Sequence, residues 1–368
     1  MSASQILRMQ LEGSELKCEL LDLESMQIAR FDKPIPFSEK KRNDICRSYR
    51  WILRKLSRYD PPPIRDYKNQ LRKIGVLMWD DLLEKVFIDF DLKSRKGSYI
   101  SLALDDSTIL FPWELALYSK RPRTMLCETF SVGRLRAIES EYWVQFKPRR
   151  TKRKTALVVG LNYEDYRSDL GSDDKRVLEH AEEEAKFVRD LLEYNGFDIT
   201  LLPGKKATKE RILNNLQRRL DVFHFTGHGS TYQDRSLISA SDGDLDTKEV
   251  IDGISDAPKV SFINACESVA ENAEKGGERA AYNWAKALAT YGGSTLVATL
   301  WSVFDKPSAR FSQWFYNQFI KKEKPLGDAI RLSRKHIKNG DESVYTWPAY
   351  VVYGYPHLSF KEILQINA

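Results

Sequence analysis

From residue 155 onward the sequence alternates short apolar runs with stretches of helical periodicity, and this alternation constrains the fold more than any other feature. Thr155-Ala-Leu-Val-Val-Gly160 is an uninterrupted apolar run ending in glycine, the pattern of a strand covered on both faces. Leu178, Ala181, Ala185, Val188 and Leu192 then predict a helix stopped by Asn195-Gly196, and Phe197–Leu202 predicts the next strand. Thr208 is placed to cap a helix through Ile212, Leu213 and Leu216, with Glu210 in its positive first turn. Strands at Val222–Thr226 and Val260–Ala265 follow, separated by a hairpin around Ser241-Asp-Gly-Asp244 and a helix at Lys248–Ile254. A helix Ala280–Tyr291, a strand Ser294–Leu300, helices opened by Pro307 and Pro325, and a last strand Ala349–Tyr353 complete the pattern. Right-handed crossovers through such units yield an α/β fold, a mostly parallel sheet flanked by helices.

The first part of the chain reads differently, as an α+β lobe. Leu7, Met9 and Leu11 face Leu16, Cys18 and Leu20 across Glu12-Gly-Ser-Glu15, a hairpin pattern. Helical spacing runs from Glu39 to Ser57, is stopped by Pro61-Pro-Pro63, and resumes from Ile64 to Val86. Strands are expected at Tyr99–Leu104 and Thr108–Phe111, and Phe111-Pro-Trp-Glu-Leu115 should bury Trp113 and Leu115 at a short turn or helix entered through Pro112. Residues 1–154 carry 31 Lys and Arg against 21 Asp and Glu, whereas residues 155–368 carry 27 against 31. Much of the basic excess sits in Lys147-Pro-Arg-Arg-Thr-Lys-Arg-Lys154, which has no helix-turn-helix pattern beside it and reads as a solvated linker rather than a nucleic-acid surface. The expected organisation is an N-terminal lobe at 1–146, a basic linker at 147–154 and the α/β domain at 155–368.

Composition narrows the function classes. Apolar content of 42% and charged content of 30% are those of a soluble globular chain, and no apolar run approaches the roughly 20 residues that span a bilayer. The start, Met-Ser-Ala-Ser-Gln-Ile-Leu-Arg8, lacks the pattern of an export signal, so a cytoplasmic protein without membrane insertion is expected. Cys18, Cys46, Cys127 and Cys266 are scattered without paired spacing, which argues against a disulfide framework and a zinc site. No metal or cofactor is expected, and the first three cysteines read as small packing residues.

Two strands end in reactive side chains. The run His224-Phe-Thr-Gly-His-Gly229 carries His228 past the end of one strand, and Asn264-Ala-Cys-Glu-Ser268 carries Cys266 past the end of another. In one parallel sheet both emerge at the carboxyl edge, where open α/β sheets bind ligands. A cysteine attacks an amide as thiolate, and a neighbouring imidazole assists its ionisation and protonates the departing amine. The tetrahedral oxyanion needs backbone N–H donors, for which Gly229 and Cys266 are placed. Taken singly, a histidine in a Gly-His-Gly turn is commonly a loop residue and a cysteine after an apolar strand is commonly packing. Their joint placement selects them. His224 reads as a core or strand-face histidine, and His180, His336 and His357 lie in helical or terminal contexts.

These two motifs, with Ala289-Thr-Tyr-Gly-Gly-Ser-Thr-Leu-Val-Ala-Thr-Leu-Trp-Ser-Val-Phe-Asp305, Tyr345-Thr-Trp-Pro-Ala-Tyr-Val-Val-Tyr-Gly354 and Phe111-Pro-Trp-Glu-Leu115, resemble the CHAT family of caspase-like cysteine peptidases, relatives of caspases and separase. The resemblance covers about residues 100 to 360. It implies a caspase-like fold, a dyad of His228 and Cys266, an oxyanion hole using Gly229, and no metal or cofactor. Two departures stand out. Ala349 follows Pro348 where Trp-Ala is more usual, and the N-terminal segment is not the tetratricopeptide array that many relatives carry.

Asp305, after the strand at Ser294–Leu300, and Glu164 and Asp165, after the first strand, should lie at the same sheet edge and could receive an Arg or Lys of the substrate. This resembles the basic specificity of separase. Asp305 could equally cap the helix opened by Pro307. The polar segment Ser268–Ala281, directly after the nucleophile, could hold the enzyme inactive until a partner or substrate orders it, or be a passive connection. The sequence thus points to a regulated cysteine endopeptidase that cuts a protein substrate after a basic residue. A setting in bacterial defence or cell-death signalling, with a pore-forming (gasdermin-like) or signalling protein as substrate and an activating partner, rests on the resemblance. The alternative is a catalytically silent scaffold that keeps the fold for interaction.

Overall fold

The computed structural model describes residues 4–31, 33–57, 61–92, 97–120, 123–136, 154–164, 177–232, 235–267, 280–290, 295–340 and 342–365. The first part of the chain forms strands β1 (Ser4–Glu12), β2 (Glu15–Asp22), β3 (Ile28–Arg30) and β4 (Ile35–Pro36), then helices α1 (Glu39–Ser57), α2 (Ile64–Met78) and α3 (Glu84–Asp89). Strands β5 (Tyr99–Leu104), β6 (Ser119–Lys120) and β7 (Arg123–Thr124), helix α4 (Leu126–Thr129) and strand β8 (Ser131–Arg136) follow. The second part runs β9 (Lys154–Gly160), α5 (Ala181–Tyr194), β10 (Phe197–Pro203), α6 (Lys209–Leu216), β11 (Val222–Tyr232), β12 (Arg235–Ala240), β13 (Gly243–Asp246) and α7 (Thr247–Gly253). It continues with β14 (Val260–Glu267), α8 (Ala280–Thr290), β15 (Thr295–Thr299), α9 (Asp305–Tyr316), α10 (Leu326–Ile337), α11 (Ser343–Thr346), β16 (Tyr350–Tyr353) and α12 (Phe360–Gln365).

All the described strands except β6 and β7, which pair only with each other, join in one sheet whose main path is β10-β9-β11-β14-β15-β16-β8-β5-β1-β2-β3. Neighbours from β10 to β15 are parallel, as are β8, β5 and β1, while β16 runs antiparallel to β15 and the antiparallel run β1-β2-β3 closes the far end. The strands of the first part of the chain therefore extend the sheet, joined through the Tyr353–Arg134 pair of β16 and β8.

Strand residues alternate between two cores. Leu157, Val159, Phe223, Phe225 and Ile263 belong to a cluster shared with α1, α2 and the N-terminal hairpin. Ala156, Val158, Val222, Val260 and Phe262 pack instead with α5, α9 and α10. Burial on both faces accounts for the uninterrupted apolar composition of these strands. Local signals act as expected at two helix ends: Thr208 Oγ1 accepts from the Arg211 N–H at 3.3 Å, and Gly196 takes a φ of +79° after α5; Asp246 and Glu249 also form a reciprocal capping box before α7.

Two expectations change. Residues 108–111 form a turn rather than a strand. The Asp105 carboxylate accepts from the N–H groups of Ser107 at 3.0 Å, Thr108 at 2.8 Å and Leu11 at 2.8 Å, and this local pairing outcompetes the β propensity of Thr108 and Ile109. Strands β11 and β14 also run past their apolar cores. Residues 227–229 of β11 pair with residues 265–267 of β14, and β12 adds a second partner along residues 229–232 of β11.

Candidate active site

His228 and Cys266 are register partners on the adjacent parallel strands β11 and β14. Such strands lie about 4.8 Å apart, so the fold brings the two backbone positions together. The His228 side chain is 1% exposed. Its ring packs against Tyr163, with centroids 4.5 Å apart and planes at 40°. The Tyr163 hydroxyl accepts from the His228 N–H at 2.9 Å and donates to the Ser239 carbonyl at 2.7 Å, tying the end of β11 to β12. Tyr163 adopts a φ of +65°, which non-glycine residues seldom tolerate. Gly227 makes the hydroxyl's position available, because a Cβ there would lie 2.8 Å from Tyr163 Oη. Gly229 is held between Ile238 of β12 and Glu267 of β14.

Beneath the strand ends lies a buried polar network. Glu184 of α5 is 0% exposed, and its carboxylate accepts from Asn264 Nδ2 at 3.0 and 2.9 Å and from Thr226 Oγ1 at 3.2 Å. Asn264 Oδ1 in turn accepts from the Tyr350 hydroxyl at 3.1 Å. His224 is also fully buried: its Nδ1 lies 3.2 Å from the Tyr316 hydroxyl, and its Nε2 lies 3.3 Å from Glu184 Oε1 without hydrogen-bonding alignment. His224 is thus a core histidine, as its mid-strand position suggests. The network joins α5, α9, β16 and the two site strands just before His228 and Cys266.

Asp305 is the first residue of α9, and Phe304 occupies the cap position without a side-chain cap bond, so Asp305 does not cap the helix. Its half-buried carboxylate accepts from the His180 N–H at 2.9 Å at the start of α5. Burial pushes its carboxyl up to about 6, with the His180 N–H pulling the other way and Glu184 and Glu179 adding repulsion. The loop before Asp305 is held by α1 and α11: the Tyr49 hydroxyl donates to the Leu300 carbonyl at 3.2 Å, Trp301 Nε1 donates to the Tyr345 carbonyl at 2.8 Å, and the Phe304 N–H donates to Thr346 Oγ1 at 3.3 Å. Glu164 is exposed, with its N–H donated to Asn162 Oδ1 at 3.3 Å. Asp165, residues 147–153 of the basic run and residues 268–279 after the candidate nucleophile lie outside the described residues.

Beside the paired strands sits a cavity of about 30 Å³, with Gly229, Leu237, Ala265 and Trp284 among its walls and no carboxylate among the described residues of its lining. It admits a water-sized body and no amino-acid side chain. Cys18 and Cys127 are buried, and burial pushes their thiols up to about 12 and about 11, which keeps both protonated and unreactive. Among the described residues no cluster of His, Cys, Asp and Glu could hold a metal ion, and no helix is long and apolar enough to cross a membrane.

The Pro-Trp-Glu segment proves structural. Glu114 and Arg134 are each 1% exposed and form a bidentate pair, with Arg134 Nε at 2.7 Å from Oε1 and Nη2 at 2.6 Å from Oε2. Arg134 Nη1 and Nη2 also donate to the carbonyls of Ile109 at 2.7 Å and Phe111 at 3.0 Å, while Trp113 Nε1 donates to the Thr108 carbonyl at 2.8 Å. Burial alone would raise the Glu114 carboxyl, but the Arg134 guanidinium more than reverses this and holds it below its ordinary value. This pair fixes the 105–115 turn onto β8.

This mostly parallel sheet flanked by helices is a caspase-like fold. The family model described as the CHAT domain matches residues 68–355, and the chain belongs to that family. Among solved structures it is similar to separase in the separase–securin complex of Saccharomyces cerevisiae, at 15% identity and a TM-score of 0.56 over 96% of this chain and 30% of that one. This chain therefore spans about 30% of the separase chain. It is also similar to the Arg-specific cysteine proteinase gingipain R, at 12% identity and a TM-score of 0.52 over 88% of this chain and 76% of that one. The pro- and mature-domain complex of RgpB from Porphyromonas gingivalis matches at 12% identity and a TM-score of 0.50, over 87% of this chain and 78% of that one. The sequence matches no curated protein.

Proposed function

We propose that this protein is a cysteine endopeptidase in which Cys266 is the nucleophile and His228 its acid–base partner. The observation that carries the reading is the pairing of the two positions in one parallel register. In the proposed reaction His228 accepts the thiol proton and the thiolate attacks the scissile carbonyl carbon. The backbone N–H groups of Gly229 and Cys266 receive the oxyanion. Collapse to a thioester breaks the C–N bond, and His228 returns its proton to the departing amine. Water activated by His228 then hydrolyses the thioester, releasing the carboxylate product and restoring the thiol.

For specificity we assign Asp305 as the acceptor of a substrate Arg or Lys, with Glu164 and Asp165 as further candidates. Asp305 supports this role by being half-buried and having no ion-pair partner among the described residues, so a substrate guanidinium would compensate its burial. The gingipain neighbour is named as Arg-specific, which fits the same reading. The cavity beside the dyad is too small for a side chain, which supports a regulated enzyme whose site opens on binding substrate or an activating partner. The substrate class we favour is a pore-forming or signalling protein in bacterial defence or cell death.

Co-expression of candidate substrate proteins with wild-type protein and with Cys266→Ala tests the activity. A fragment ending in Arg or Lys should appear with the wild type alone. The same fragment with both proteins would refute the peptidase reading.

A further inference from the structure

Two adjoining cavities, of about 390 and about 420 Å³, open between α2, α4 and the end of α10, and share Glu128, Lys338, Asn339 and Trp347 in their walls. The first adds Arg331, Arg334 and Lys335, and the second adds Lys68 and Arg72. The one carboxylate among the described residues of these walls is already engaged: Glu128 pairs with Lys338, and its Oε2 accepts from the Met125 N–H at 2.9 Å. The walls therefore hold a strong positive excess.

Arg334 is the informative residue. It is 2% exposed, and its Nη2 donates to the Tyr350 carbonyl at 2.5 Å. Its Nε has no hydrogen-bond partner among the described residues, and its charge reaches the Glu114 carboxylate, already paired with Arg134, only beyond ion-pair distance. Arg331 donates from Nη2 to Asp328 Oδ1 at 3.0 Å, and its Nε is likewise buried without a partner among the described residues. A buried guanidinium with an unmet donor is costly unless an anion meets it. The negative end of the α10 dipole accounts for Lys335 and Lys338 in and after its last turn, but it offers no acceptor to either Nε group. Trp347 is buried under the Lys338 ammonium, 5.0 Å from the ring centroid, and Leu71 and Val344 add apolar wall beside it.

We propose that these joined cavities bind a small molecule carrying a phosphate group. The phosphate would be met by the side chains of Arg331, Arg334 and Lys335, with any organic portion against Trp347. Each phosphate oxygen can accept from a guanidinium fork, and an anion in the cavity would also offset the buried charge of Arg334.

Isothermal titration of the full chain with inorganic phosphate, pyrophosphate and AMP at fixed ionic strength tests this. Saturable one-site binding of at least one probe is expected, weakened about 10-fold or more in Arg331→Gln and in Lys335→Glu. Lys55→Glu, which removes an exposed cation of α1 outside the cavities, should bind as the wild type does. Tighter binding of AMP would assign the Trp347 wall to the base, and equal binding would assign the site to the phosphate alone; both uphold it. No saturable binding of any probe up to about 10 mM, or equal weakening in Lys55→Glu, would overturn the proposal. The readout is binding, so its failure leaves the peptidase reading untouched.

Discussion

The Asn264 side-chain amide lies 3.0 and 2.9 Å from the two carboxylate oxygens of Glu184, joining helix α5 to the strand that carries Cys266 two residues later. Glu184→Ala would leave Asn264 Nδ2 and Thr226 Oγ1, both on buried residues, without their acceptor. The expected loss is about 3–5 kcal/mol of unfolding free energy by denaturant titration, from several unmet groups at about 1–3 kcal/mol each. Glu184→Gln, which keeps the shape and part of the pairing, should lose less. An unchanged denaturation midpoint in Glu184→Ala would show that the network does not hold the strands.

The Glu114–Arg134 pair gives a second test. Glu114→Ala strands a buried guanidinium and should cost about 3–5 kcal/mol. The Glu114→Leu, Arg134→Met double variant removes both charges and should lose less than the two single changes summed, as a double-mutant cycle measures. The Glu114 carboxyl is held low in the folded state, so the pair's contribution is present above the unfolded carboxyl value and is lost as pH falls through the lower folded value. Additive single and double effects would contradict the coupling.

Asp305 carries the opposite sign. Its carboxyl is pushed up to about 6, so the folded state holds the proton more tightly than the unfolded chain. This position favours folding most below the unfolded carboxyl value and loses that contribution as pH rises through about 6. Asp305→Asn should therefore be more stable than wild type by about 1–3 kcal/mol near pH 7.5, the gap closing towards about pH 4 in thermal melts. If Asp305 receives the substrate's cation, kcat/KM for an Arg-containing peptide rises with pH through the same region and is low and flat there in Asp305→Asn. An unchanged acid limb in the variant would remove Asp305 from the specificity site.

Much of this architecture is legible in the sequence because burial on both faces leaves a plain mark. The apolar runs at Thr155–Gly160 and Val260–Ala265 become β9 and β14, and the alternation around Glu12-Gly-Ser-Glu15 becomes the β1–β2 hairpin. The ends of β11 and β14 are less legible, since residues 227–232 are held by pairing with neighbouring strands rather than by apolar content. The 108–111 segment misleads because the Asp105 side chain supplies a local alternative to a ladder. Glu184 sits in Glu182-Glu-Glu184, which looks like a solvated first turn. Its helical phase is the missed signal, because it falls in the stripe of Ala181, Ala185 and Val188 and must enter the core. Tyr163 leaves a fainter trace, the absence of a side chain at Gly227. The Glu114–Arg134 pair links motifs that the sequence keeps apart.

The central claim is that Cys266 is a nucleophile activated by His228, and covalent capture tests it most directly. The full chain would be treated with a peptidyl-arginine acyloxymethyl ketone and read by intact mass and peptide mapping. The expected result is one adduct, on Cys266, forming about 100-fold or more slowly in His228→Ala. Labelling of Cys18, Cys46 or Cys127 instead, or an unchanged rate at Cys266 without the imidazole, would contradict the account.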